Sequence, residues 1–345
     1  MGTVNKNHMK GNYKMKKTIL ALSMMAAISP AHAIWQGESL IASDNPQVVK
    51  LNNCSGTVIG NKYVLTAGHC GDGAGTNAVD GNGKVVQVTK THLNPLYDAS
   101  VARIYDVALW ELATPMTSGF LSASEPAKDA MSSISGWEGG TLKKAELKAL
   151  GPVNPLFSED AFELLYDPAN GIGSGMSRPG DSGGPCYTQD GVWGTIHGAG
   201  GQGDGTYIQV CQRVTNANTR QWILETVNGW SYPLELKGDG AVSVKVQSVH
   251  AGAEAFTPWV EGNVELISNS CSGGIVDPLA VCNLTVKGSG KLYLTAQDVI
   301  EINKQVEPPQ PPTPEENGGG GGGGSSSPVM LAMMAMAAIL RRLIK

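Results

Sequence analysis

The 345-residue sequence has no Cys-x-x-Cys pair, few aromatic side chains (6%) and no long stretch with helical periodicity. It also has no apolar run near the roughly 20 residues that cross a bilayer as a helix. The first absence removes the thiolate spacing of small zinc modules. The others argue against a helical bundle and against an ordinary spanning segment. Glycine is plentiful instead, at 45 residues, which points to many turns and short strands. The six cysteines fall as near neighbours: Cys54 with Cys70, Cys186 with Cys211, and Cys271 with Cys282. An even count at local spacing suggests disulfides and an oxidising compartment, with the connectivity open at this stage.

Both ends speak to export. Met15-Lys-Lys is a short basic region, Thr18 to Ile28 is an apolar core, and Ser29-Pro-Ala-His-Ala33 ends in a small-x-small cleavage pattern. Residues 1–33 therefore read as leader and signal peptide, cut after Ala33, with a mature chain starting at Ile34. At the other end, 306–327 is a linker, first proline-rich and then glycine- and serine-rich. The tail, 328–345, holds a 12-residue apolar run followed by Arg341-Arg342, too short for a plain membrane anchor. This order resembles the GlyGly-CTERM sorting signal of surface proteins from Vibrio, Shewanella and their relatives. The resemblance implies signal peptidase, type II secretion machinery and a rhomboid-type sorting protease as partners. It implies a protein that is secreted or cell-surface attached after export through the periplasm.

Five lysines lie in residues 1–33 and three basic residues in 318–345, and neither segment holds an acid. Without them the body carries 17 basic against 30 acidic residues. So acidic a body disfavours nucleic acid and anionic lipid as partners.

From Ile34 onward the chain reads as short strands between Gly, Asn, Asp and Pro clusters: Gln47–Leu51, Gly56–Gly60, Tyr63–Thr66, Val85–Thr89, Ala108–Leu112, Val192–Ile196 and Thr206–Val210. Asn216 to Val227 has helical spacing, with Trp222, Ile223 and Val227 on one face. The strand pattern restarts after Tyr232 with the strict alternation of Ala241 to Val246. Val260–Ile267, Ala280–Val286, Lys291–Thr295 and Val299–Asn303 follow. The expected domains are 34–230, a catalytic β domain, and 235–305, a small β-sandwich of immunoglobulin-like kind.

Chemistry concentrates at three places. Gly180-Asp181-Ser182-Gly183-Gly184-Pro185 wraps a serine in glycines, as a loop does when its amides must face an oxygen. A serine hydroxyl needs a base and oxyanion donors before it is a useful nucleophile. Thr66-Ala-Gly-His69-Cys70 supplies a histidine beside a cysteine, after an apolar strand. Tyr105-Asp106-Val-Ala-Leu-Trp supplies a carboxylate at the head of another; Asp98 is its nearest rival. A carboxylate buried there needs a partner, and an imidazole Nδ1–H would serve.

The order His, Asp, Ser, these three contexts and Ile134-Ser-Gly-Trp137 together resemble the trypsin/chymotrypsin-like serine peptidases, over about 195 residues from Ile34. The resemblance implies two six-stranded β-barrels with a C-terminal helix. It gives catalytic roles to His69, Asp106 and Ser182, and an oxyanion hole to the amides of Gly180 and Ser182. It also pairs a free Ile34 amine with Asp181, and here export alone would expose that amine. The pocket would involve Met176, Ser177, His197, Ala199 and Gly205. Met176 stands where trypsin carries an aspartate, so cleavage after Lys or Arg is disfavoured. Gly194-Thr-Ile-His-Gly-Ala-Gly200 resembles the Gly-Ile-His segment of glutamyl endopeptidases, where a His with a Ser or Thr recognises a carboxylate; the resemblance gives those parts to His197 and Ser177. Small or apolar residues and acidic residues both stay open as preferences. No metal or cofactor is expected, and the partners are protein or peptide substrates. A surface-displayed binding or adhesion protein on the same scaffold is the alternative reading.

Overall fold

The computed structural model describes residues 34–100, 104–138, 140–153 and 160–304. The expected leader, linker and sorting tail lie outside the described residues.

Six antiparallel strands close the first barrel: Val48–Lys50, Ser55–Ile59, Tyr63–Thr66, Ala108–Leu112, Val85–Leu93 and Asn77–Val79, the last bridging back to the first at Lys50↔Val79. Its interior holds Val49, Val58, Val64, Val86, Val88 and Trp110. β-branched side chains suit this half-buried pleated surface.

A second ring runs through Met131–Glu138, Thr141–Pro152, Ala161–Tyr166, Tyr207–Arg213, Gly191–Gly201 and Pro185–Thr188. The pair Cys186↔Ile134 returns the last strand to the first. Phe162, Trp193, Ile196 and the buried Ile34 fill its core, together with Cys186 and Cys211. The chain is thus mostly β, with two closed six-stranded barrels.

Several strands of the second barrel carry weak sequence signals. Thr141–Pro152 is rich in Lys, Ala, Glu and Leu, which are helix formers, yet Ala145, Leu147 and Ala149 are buried in alternation. Pairing on both edges overrides the local propensity there. Residues Ala217–Val227 form α1, with the Asn216 side chain accepting the Asn218 N–H at its start. Its buried Ile223, Leu224 and Val227 cover the outer face of the first barrel at Ile59, Leu65 and Leu109.

After α1 the chain enters a third β body. Gly229–Ser231 pairs with Ala241–Val249, which pairs with the 13-residue strand Val281–Tyr293. That strand runs unbroken through Gly288 and Gly290, where the sequence suggested a turn between two strands. Trp259–Asn269 lies on its other edge, and Val299–Ile302 continues the sheet. The core gathers Trp230, Tyr232, Phe256, Val276, Leu284 and Ile300. Phe256 and Val276 come from the small ribbon of Glu254–Ala255 and Ile275–Val276 or its edge. The cysteines join as the three near-neighbour pairs, Cys54–Cys70, Cys186–Cys211 and Cys271–Cys282.

Candidate active site

Strand Tyr63–Thr66 ends in a single tight turn, Gly68–Cys70, which carries His69. The Cys54–Cys70 disulfide ties this turn to the neighbouring strand. A closed loop of this size contributes about 3 kcal/mol in the chain-entropy model. Antiparallel pairing of Thr66 with Ala108 brings the turn alongside Asp106, which just precedes the second strand.

Asp106 is wholly buried. Its Oδ1 accepts the His69 backbone N–H at 2.7 Å, and its Oδ2 lies 2.6 Å from His69 Nδ1. The rival Asp98 instead accepts the backbone N–H and hydroxyl of Ser100. Oδ2 has a second neighbour: His197 Nδ1, from strand Gly191–Gly201 of the other barrel, also at 2.6 Å. The two imidazoles meet edge-on, with centroids 5.7 Å apart. Burial alone would raise the Asp106 pKa. Hydrogen bonds from His197 and His69, with the favourable charge interaction at His69, outweigh it and hold the carboxyl at about 2.

Ser182 sits partly exposed on the loop that enters strand Pro185–Thr188. Gly183 has φ of 79°, and a Cβ on it would lie 2.0 Å from Thr66 Oγ1, so the loop presses on the strand leading to His69. Only glycine permits that approach. Ser55 fixes the loop from the first barrel. Its N–H donates to the Ser182 carbonyl at 2.8 Å, and its hydroxyl donates to the Gly180 carbonyl at 3.1 Å. The same hydroxyl accepts the Trp137 N–H at 2.7 Å. One small side chain therefore links both barrels to the nucleophile loop.

Asp181, also fully buried, accepts the Arg178 N–H on Oδ2 at 2.8 Å. The Ile34 backbone nitrogen lies 3.0 Å from the same oxygen. A Cβ on Gly136 would stand 2.2 Å from Asp181 Oδ1, which accounts for glycine between Ser135 and Trp137.

The expected pocket residues differ in exposure. Met176 is buried in the second-barrel core and exchanges backbone hydrogen bonds with Trp35. Ser177 is buried too, and its N–H donates to Gln209 Oε1 at 3.0 Å. Gln209 Nε2 donates to the Gly198 carbonyl at 2.9 Å, so this fully buried amide spans the Ser177 and Gly198 segments. Ala199 and Gly205 are exposed. With His197 Nδ1 engaged by Asp106, only Nε2 remains for any other partner. His69, Asp106 and His197 are also a cluster of metal-ligand type, with donor atoms within 4.8 Å of one another. Their Nδ1 atoms already face the carboxylate.

Ser55 and Gln209 were not singled out from sequence. A serine between Cys54 and Gly56 reads as an ordinary strand residue, and a glutamine in Tyr207–Arg213 reads as a solvent-facing one. Only the alternation of that strand, which turns Gln209 the same way as Cys211, hints at burial.

The trypsin family model matches residues 34–223. Trypsin 5G1 of Aedes aegypti is 28% identical over 201 residues, covering 50% of this chain and 74% of that protein. A trypsin-like protease of Streptomyces glaucescens is 29% identical over 208 residues, covering 50% and 76%. Among solved structures, the VesB protease of Vibrio cholerae aligns with a TM-score of 0.45 at 20% identity, covering 76% of this chain and 91% of that chain. The secreted serine protease VesC of the same organism gives 0.45 at 19%, covering 74% and 66%.

Proposed function

The chain belongs to the trypsin family and is a serine endopeptidase; we propose that it is exported and cleaves proteins through an acyl-enzyme formed on Ser182. In this reading Ser182 Oγ attacks the scissile carbonyl as its proton passes to His69 Nε2. The amides of Gly180 and Ser182 hold the oxyanion. Collapse breaks the C–N bond, and the amine leaves with the proton from His69. Water then attacks the ester, giving its proton to His69, which passes it to Ser182 Oγ as the ester C–O bond breaks and the acid leaves. The observation that carries the reading is the double contact of His69 with the buried Asp106, at 2.6 and 2.7 Å. It leaves Nε2 free to serve as base and supports the imidazolium as it forms.

A fluorophosphonate probe should label the exported protein at Ser182 and leave Ser182→Ala unmarked. Failure to label the wild type would sink the assignment.

Export rests on the signal-peptide pattern before Ile34 and on three disulfides, which persist in oxidising compartments. The sorting tail extends this to attachment at the cell surface. If export alone activates the enzyme, N-terminal sequencing of the secreted form returns Ile34. The new ammonium would then pair with Asp181, and activity would fall as pH rises through the pKa of that amine. A start elsewhere defeats this part of the reading.

Substrate choice follows from what the pocket segments contain. None of Met176, Ser177, Ala199 and Gly205 is acidic, and the Gln209 amide ties two of the segments together. This favours small, apolar or acidic side chains over Lys and Arg. A peptide-library profile showing cleavage after Lys or Arg would reject it.

A further inference from the structure

Resting on the assignment of Ser182, His69 and Asp106 above, we propose that His197 is a positioning residue of the reaction, one that shares Asp106 Oδ2 with His69 and opposes protonation of its twin. The geometry is reciprocal. Both Nδ1 atoms lie 2.6 Å from one carboxylate oxygen, so with both rings neutral each donates an Nδ1–H to it. The two donors come from different barrels, so the carboxylate is held from both sides of the interface. His197 is 22% exposed at its side chain, and protons from water can reach it.

Protonation of the two rings is coupled. When His69 takes the Ser182 proton it becomes an imidazolium, and Asp106 neutralises it. If His197 is already protonated, one carboxylate faces two cations whose ring centres are 5.7 Å apart. Groups this close titrate as a set, each raising the cost of the other's charge. Among the described residues, neighbours of this region are uncharged or hydrogen-bonded. Gly68 packs between Asp106 and the Tyr97 ring, and the amide of Gln209 sits on the Gly198 carbonyl. Asp181 is hydrogen-bonded to the Arg178 and Ile34 nitrogens. Imidazoles change charge between about pH 5 and 8. The acid side of the activity profile should therefore report two successive protonations rather than one.

The experiment compares wild-type secreted protein with His197→Ala and His197→Gln, measuring kcat and KM from mildly acidic to neutral pH. Active-site labelling at Ser182 runs in parallel. Loss of a hydrogen bond to a charged group should lower kcat of His197→Ala by about 10- to 100-fold with KM little changed. The glutamine amide keeps a donor without a titrating proton. His197→Gln should recover part of kcat and show a single-proton acid limb where the wild type shows two. Proton NMR of the wild type should show two low-field imidazole N–H signals, and His197→Gln only one. Superimposable acid limbs for wild type and His197→Gln, or a single low-field signal in the wild type, overturn the proposal. A wild type that fails to label at Ser182 would instead overturn the triad assignment.

Discussion

At the scale of single residues, the buried Asp106 sets the terms. Its carboxyl is held at about 2, below the ordinary value of 3.8, by donors that outweigh its burial. A depressed carboxyl contributes stability that is fully present above its unfolded value. That stability is lost as pH falls through the folded value, here between about 4 and 2. Asp106→Asn should flatten this window in thermal melts and lower kcat about 10⁴-fold, because His69 then rests in the wrong tautomer. An activity loss under tenfold would contradict the role given to Asp106. Gly136→Ala is a quieter test of the neighbouring acid. The new Cβ would collide with Asp181 at 2.2 Å and push its carboxylate off the Ile34 nitrogen. Overpacking of this kind costs about 1–3 kcal/mol. Slower probe labelling at Ser182, with a lowered Tm, is the expected pair of readouts. His69, Asp106 and Ser182 were legible in the sequence because each sits among flanking residues of unusual composition. Ser55 and the direction of the His197 ring were not. Their partners lie across the interface between barrels, and no local pattern encodes which side of a strand another barrel will cover.

At the scale of elements, the short turn Gly68–Cys70 carries the base and depends on two crosslinks. These are the Cys54–Cys70 disulfide and the Thr66 hydroxyl, which donates to the Ser55 carbonyl at 2.8 Å. Replacing both cysteines by serine should cost about 3 kcal/mol. For a body of this size that is a Tm drop of roughly 6–12 °C by calorimetry. An unchanged Tm would mean that packing alone holds the turn. Elements with alternating β-branched residues, such as Ala241–Val249, were legible for the reason that makes them stable: one face is buried. Thr141–Pro152 was hidden because its residues are individually better suited to a helix. Its strand state is set by partners on both edges.

At the scale of the whole molecule, the third β body is joined to the first barrel and to the Leu121 segment beside the second by buried side-chain amides. Gln247 accepts the Leu121 N–H and donates to the Leu121 carbonyl, both at 2.8 Å. Asn61 does the same for Tyr232, at 3.0 and 2.9 Å. Each amide imitates one rung of a β-ladder. Gln247→Ala would strip two buried backbone groups of partners, at about 1–3 kcal/mol each. The melt should shift down by several degrees while staying a single transition. Two separate transitions in the wild type would show that the bodies unfold independently. The sequence suggested a boundary between 230 and 235, yet Tyr232 is buried in the third body's core and gripped by the first barrel. The pattern change there marks where one sheet's alternation gives way to another's, and carries no information on how tightly they adhere.

That grip bears on modularity. A fragment ending at residue 230 would leave Asn61 and Ser118 without the Tyr232 backbone groups they bind, and would bare Ile59 and Leu109 wherever α1 loosened. The peptidase body is therefore not a cassette that can be lifted out or grafted onto another accessory module. Any replacement for the third body would have to offer partners to the Asn61 and Ser118 side chains and to the Leu121 backbone at once.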